Sequence, residues 1–199
     1  MATFVEEARR RQIVGCTAEL IAERGSAGVS LSAIAAAAGI SKAAVLYHFA
    51  SRDAVLAATA AHVLEAFVAD VGGAVDAADG PEAMLLAYLS TTVAHFRAHP
   101  AYLRVLADGA LGTPAESRTA AVAGIVADGQ AAGVFRSGDP RVLAVIVSGA
   151  LDAVVAQWLA DPALDVGAAA AELEGCVLRM LRPGAPGPVS PAPPASTRS

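Results

Sequence analysis

Leu31-Ser-Ala-Ile-Ala-Ala-Ala-Ala-Gly-Ile-Ser-Lys-Ala-Ala-Val45 reads as two short helices around one turn. Ser30 is the expected N-cap of a helix over 31–38, because its hydroxyl can accept from a free N–H of the first turn. Gly39 stops that helix, since glycine alone takes positive φ without cost. Ser41 then caps a second helix over 42–49. Two short helices joined through a glycine turn make the helix-turn-helix plan. The plan needs a small residue where the helices cross, supplied by Ala35, and apolar anchors from both sides, supplied by Ile34, Ile40, Val45 and Phe49. A helical hairpin inside an ordinary core satisfies the same spacing, so spacing alone leaves DNA binding and plain packing level.

Outward from this stretch the helical pattern continues. In the segment 4–24, Ile13, Cys16, Leu20 and Ile21 fall on one helical face, and Gly25 and Gly28 end it. Ser51 caps a fourth helix expected over 52–71. Gly72-Gly73 and Asp79-Gly80-Pro81 are read as breaks. Helices are then expected over 82–99, 101–111, 114–132, 141–160 and 165–182. The third of these is weakened by Gly124 and Gly129. The tail 183–199 holds six of the 11 prolines and is expected to be disordered. The expected division is a DNA-binding head over 1–52, a body over 53–182 and this tail.

Composition agrees with an all-α class. Of 199 residues, 55% are hydrophobic and only 5% aromatic, and 50 are alanine, the best helix former. So much apolar material excludes chain-wide disorder. One lysine against 13 arginines suggests GC-rich codons and a bacterial source. The longest charge-free run before the tail, 25–41, carries three glycines and four serines, so no membrane span is expected. Glu6, Glu7 and Arg9-Arg10-Arg11 open the chain without a secretory pattern. Cys16 and Cys176 have no metal-like spacing and are expected as reduced thiols, which places the protein in the cytoplasm. Residues 1–52 hold six basic against four acidic side chains, and the remainder eight against 15. A slightly basic head on an acidic body suits an anionic partner at the head alone.

The longer run Ala-Gly-Ile-Ser-Lys-Ala-Ala-Val-Leu-Tyr-His-Phe-x-Ser-Arg-Asp-x-Val-Leu from Ala38 to Leu56, with Ala22-Glu-Arg-Gly25, resembles the tetracycline-repressor (TetR) family over residues 9–56. The resemblance implies a three-helix DNA-binding head, a connecting fourth helix and a helical ligand-binding and dimerisation domain. It implies a repressor that binds a palindromic double-stranded DNA operator as a homodimer and is released by a small molecule. A TetR-like activator, or a small helical ligand-binding protein without DNA binding, stays open as an alternative. Carried over by position, Ser41, Lys42, Ala43 and Ala44 stand at the leading end of the recognition helix, which enters the major groove. Ser30 and Ser32 are placed for phosphate or base-edge contacts, and His48 and Arg52 for the DNA backbone. The family often has tyrosine after the position of Val45. Leu46 stands there instead and Tyr47 follows, 100° further round the helix.

In the body, the segment 141–160 has only Arg141 and Asp152 charged and is apolar on nearly all sides, which calls for burial against a second subunit as well as its own core. Ile146, Gly149, Ala150 and Ala153, with Leu173 and Val177 from the last helix, are the expected homodimer interface. The family's last two helices form such an interface. Tyr88, His95, Phe96, Tyr102 and Trp158 are the candidate ligand-pocket residues, with plain core packing the competing reading for Phe96 and Trp158. His95 and His99 stand four apart, but no cysteine or carboxylate nearby in sequence completes a set, so no metal is expected. No cofactor is expected, and the chain lacks a nucleophile elbow, phosphate loop or dinucleotide fingerprint, so it is not read as an enzyme.

Overall fold

The computed structural model describes residues 4–108 and 115–183. Among them the chain forms nine α-helices and one 3-10 turn, with no strand, as an all-α fold requires. The first is α1 (Phe4–Arg24), followed by the turn Ser26–Gly28, then α2 (Leu31–Ala37) and α3 (Lys42–His48). The chain continues through α4 (Arg52–Asp76), α5 (Pro81–Ala98) and α6 (Pro100–Ala107). It ends in α7 (Ala115–Ala131), α8 (Pro140–Ala160) and α9 (Val166–Leu181). The expected helix limits at 111 and 114 lie outside the described residues, as does the expected disorder of the tail beyond 183.

The three serine caps behave as read. Ser30, Ser41 and Ser51 accept from the backbone N–H of Ala33, Ala44 and Ala54, at 3.1 to 3.2 Å. Gly39 has φ +67°, and α2 and α3 meet at 99°. Ile34, Ala35, Val45 and Phe49 are buried at their crossing.

One expectation fails, and the ground given for a second is too narrow. α4 runs through Gly72-Gly73 to Asp76 instead of stopping at 71. Each glycine costs about 1 kcal/mol in a helix, but Val71 and Val75 on either side lie against the body core and carry the helix past them. The chain turns at Gly80, where φ is +85°. Length and composition also make α4 and α8 apolar enough to cross a membrane, contrary to the reading from charge-free runs. That reading treated each isolated charge, such as Asp152, as a break. Gly129, taken as a weakness in α7, is needed there: a Cβ would lie 2.0 Å from Cδ2 of the buried Phe135 ring.

There are two cores. Ile13, Ile21, Ile34, Val45 and Phe49 form the head core with Val55, Leu56 and Val63 of α4 and Val105 of α6. The body core begins at Phe67 and Val71 and gathers α5, α7, α8 and α9. The cores therefore part within α4, not at Arg52. α6 serves both, with Val105 in the head core and Leu103 in the body core. The Asp108 carboxylate accepts from the Ser26 N–H at 3.0 Å, tying the end of α6 to the turn after α1.

Candidate nucleic-acid interface and body cavities

The leading end of α3 faces outward. Ser41, Lys42 and Ala43 are exposed, Ala44 half-buried, and Ser30 and Ser32 at the start of α2 are exposed. Lys42 makes no ion pair among the described residues, which leaves its ammonium available to a base edge or phosphate. Ser30 and Ser41 use an oxygen lone pair for capping, and their O–H donors remain. The helices are braced from behind by α1. The Arg10 guanidinium sits 4.1 Å over the Phe49 ring and donates to the His48 carbonyl, and Gln12 donates to the Ala38 carbonyl at 3.1 Å. Both contacts satisfy carbonyls that the ends of short helices leave free.

Arg52, expected at the DNA backbone, also bonds within its own chain. Its Nε donates to the Val29 carbonyl at 2.6 Å, its Nη2 to the Ser26 carbonyl, and its Nη1 to Asp53 at 3.1 Å. Arg52 thus fastens the loop between α1 and α2 to the start of α4. His48 is half-buried with its ring edge-on to Tyr47. Tyr47 is 75% exposed, and its hydroxyl donates to Glu6 at 3.3 Å, toward the start of α1.

Residues 13–59 match the family model described as bacterial regulatory proteins, tetR family. Over this segment the head is similar to the tetR family. HTH-type transcriptional regulator BetI of Brucella suis is 30% identical over 86 residues, 43% of each protein. The chain thus spans under half the length of the curated relatives it matches. Among solved structures, the TetR family regulator PfmR of Thermus thermophilus has a TM-score of 0.72 at 23% identity, covering 84% of this chain and 97% of that one. FadR of Bacillus subtilis, solved in complex with stearoyl-CoA, has a TM-score of 0.75 at 17% identity, covering 86% and 99%. These two show that the likeness in fold extends past the matched segment through the body.

Behind that head the body holds two adjoining cavities of about 240 and 290 Å³. Leu64, Phe67 and Arg118 line both. The first also takes Thr92, Phe96, Leu103, Leu106 and Asp152, the second Val71, Tyr88 and Ile125. Arg118 makes a two-pronged pair with Asp152, both bonds at 3.1 Å. Among the described residues Arg118 Nε is buried without a hydrogen-bond partner, and the buried Tyr88 and Ser148 hydroxyls have at most each other. Burial pushes the Tyr88 phenol up, against the pull of nearby Arg118.

Of the candidate pocket residues, Phe96 and Tyr88 line these cavities. Trp158 lines a separate hollow of about 110 Å³ with Pro100 and Leu103. His95 and Tyr102 lie instead where α4, α5 and α6 meet. Arg118 and Asp152 escaped sequence reading because their partnership spans 34 residues.

On α8, Gly149 and Ala153 are exposed and Ala150 half-buried, while Val142, Val145 and Ile146 are 55%, 61% and 47% exposed. These positions share one face. Leu173 and Val177 correct the expectation for α9: at 9% and 3% exposure they pack into the chain's own core. The outward face of α9 carries Ala168, Ala171, Cys176 and Arg179 instead.

Proposed function

We propose that the protein is a bacterial transcriptional regulator acting in the cytoplasm, a homodimer that represses from a palindromic operator and is released by a small molecule. The observation that carries this reading is the tetR-family head, with the leading end of α3 exposed and braced from behind. Ser30, Ser32, Ser41, Lys42, Ala43, Ala44 and Tyr47 supply the DNA-facing surface, with Lys42 its cation. The exposed apolar face of α8, with the outward face of α9, supplies the dimer contact. A two-fold dimer presents two equal heads, hence a palindrome.

The cavities supply the effector site. Their walls are mostly apolar, with Arg118 and Tyr88 offering polar donors, so they suit a largely apolar molecule with one hydrogen-bond-accepting end. The FadR complex with stearoyl-CoA supports an effector of mixed character within this fold. The route to the head is short. Leu103 and Leu106 line the cavity, while Val105 on the same helix fills the head core. An effector that displaces α6 favours a different head position and so shifts an existing equilibrium.

The test is a gel shift and footprint of the full chain on DNA upstream of its own gene. A symmetric footprint is expected, and Lys42→Ala should lose about 1–3 kcal/mol and relax preference at one base position. Absence of any sequence-selective binding leaves the helical ligand-binding protein as the reading. An increase in transcription on binding makes it an activator.

A further inference from the structure

We propose that Asp70, His95 and His99 bind one divalent transition-metal ion where α4, α5 and α6 meet. The histidine pair was visible in sequence without a third donor; α4 brings one across from 25 residues earlier. A donor atom from each of the three residues lies within 4.8 Å of the others.

His95 is the informative member. It is 3% exposed, its Nδ1 lies 2.7 Å from Asp70 Oδ2, and its Nε2 is buried with no partner among the described residues. A histidine serving only the core has its buried nitrogens satisfied. Here the Asp70 carboxylate lies beside one nitrogen while the other is unused, and Asp70, being exposed, can turn from the ring to an ion held on it. Asp70 and His99 are exposed, so an ion has a path in and water can complete its shell.

The donors set the class of ion. Two imidazoles and one carboxylate suit zinc, nickel or cobalt, whereas calcium and magnesium prefer oxygen throughout. Metal–ligand bonds of about 2.0–2.2 Å put neighbouring tetrahedral donors about 3.4 Å apart. The wider spread here closes through the exposed side chains of Asp70 and His99, not through the packed ring of His95. His99 stacks on Tyr102 at 4.8 Å, and the Tyr102 hydroxyl meets His62 Nε2 at 3.2 Å, so the ion would sit beside α6, the helix shared by both cores.

The test uses the untagged full chain and needs no DNA, so it stands or falls apart from the regulator reading. Zn²⁺ is titrated by calorimetry, and Co²⁺ by its visible absorption. One ion per chain is expected, with affinity falling at least about 10–100-fold in Asp70→Asn, which removes the carboxylate ligand. His99→Ala, an exposed change that spares the core, should lose at least as much and abolish the cobalt absorption. His48→Ala, in the head, should leave both readouts unchanged. Absence of stoichiometric binding, or equal binding by the Asp70→Asn/His99→Ala double variant, overturns the proposal and leaves His95–Asp70 as a clip between α4 and α5.

Discussion

Replacing Arg52 by alanine should unfold the head more easily without altering how binding responds to salt. The side chain holds two backbone carbonyls, Val29 and Ser26, through charged donors. Each such bond contributes about 1.5–3 kcal/mol in a protected setting. The Arg52 side chain is 34% exposed, so water recovers part of that, and its pair with the exposed Asp53 adds little. The expected loss is about 2–3 kcal/mol, taking the lower part of the range for two bonds. For a chain of this size that lowers the melting temperature by about 5–10 °C. Arg52→Lys should recover less than half, because one ammonium cannot span both carbonyls as the planar fork does. The assays are urea unfolding and operator affinity measured at several salt concentrations. If Arg52 contacts a phosphate instead, the midpoint stays put and the slope of log affinity against log salt falls by about 0.9. That pair of results would refute the clamp.

Three further outcomes follow from the packing. Gly129→Ala drives a methyl into Phe135 and should cost about 1–3 kcal/mol in urea unfolding, with Phe135→Leu in the same chain recovering part of it; an unaltered midpoint would mean the ring moves freely. A Cβ at Gly149 meets nothing within 4 Å among the described residues, so in Gly149→Arg helical content by circular dichroism should persist while light scattering reports half the mass; an unchanged mass places the dimer contact elsewhere. Burial raises the Tyr88 phenol above its ordinary 10.0, so the unfolded chain gives up this proton first and stability declines as pH rises past 10.0. Tyr88→Phe should flatten that alkaline decline, and an identical slope in both proteins would remove Tyr88 as its source.

What the sequence made legible was what acts locally. Ser30, Ser41 and Ser51 bond to N–H groups three residues on, so the caps of α2, α3 and α4 were readable before any packing was known. Gly39 declared its turn for the same reason. Gly72 and Gly73 misled because their local cost is outweighed by Val71 and Val75, whose partners lie on other helices. Leu173 and Val177 were rightly apolar but wrongly placed: α9 has small apolar residues on a second face, and residue type does not say which face meets the chain's own core. The phosphate role of Arg52 came from resemblance, and the carbonyls that claim it have no signature in side-chain sequence. Arg118, Asp152 and Asp70 depend on helix packing over 25 to 34 residues. Each looked like an isolated surface charge until its partner arrived.

The recruitment of Val105 into the head core bears on how this chain can be cut and recombined. A chimera spliced at residue 52 would transplant α1 to α3 without Val55, Val63 and Val105, all fully buried against them. The graft would arrive with an open seam where α6 had been, and the host body would have to offer a valine-sized plug at the same height. A splice after Val63 mends the α4 side alone. A recombinant that keeps both a stable head and its response must therefore exchange α6 along with the first half of α4, two segments distant in sequence that behave as one heritable unit.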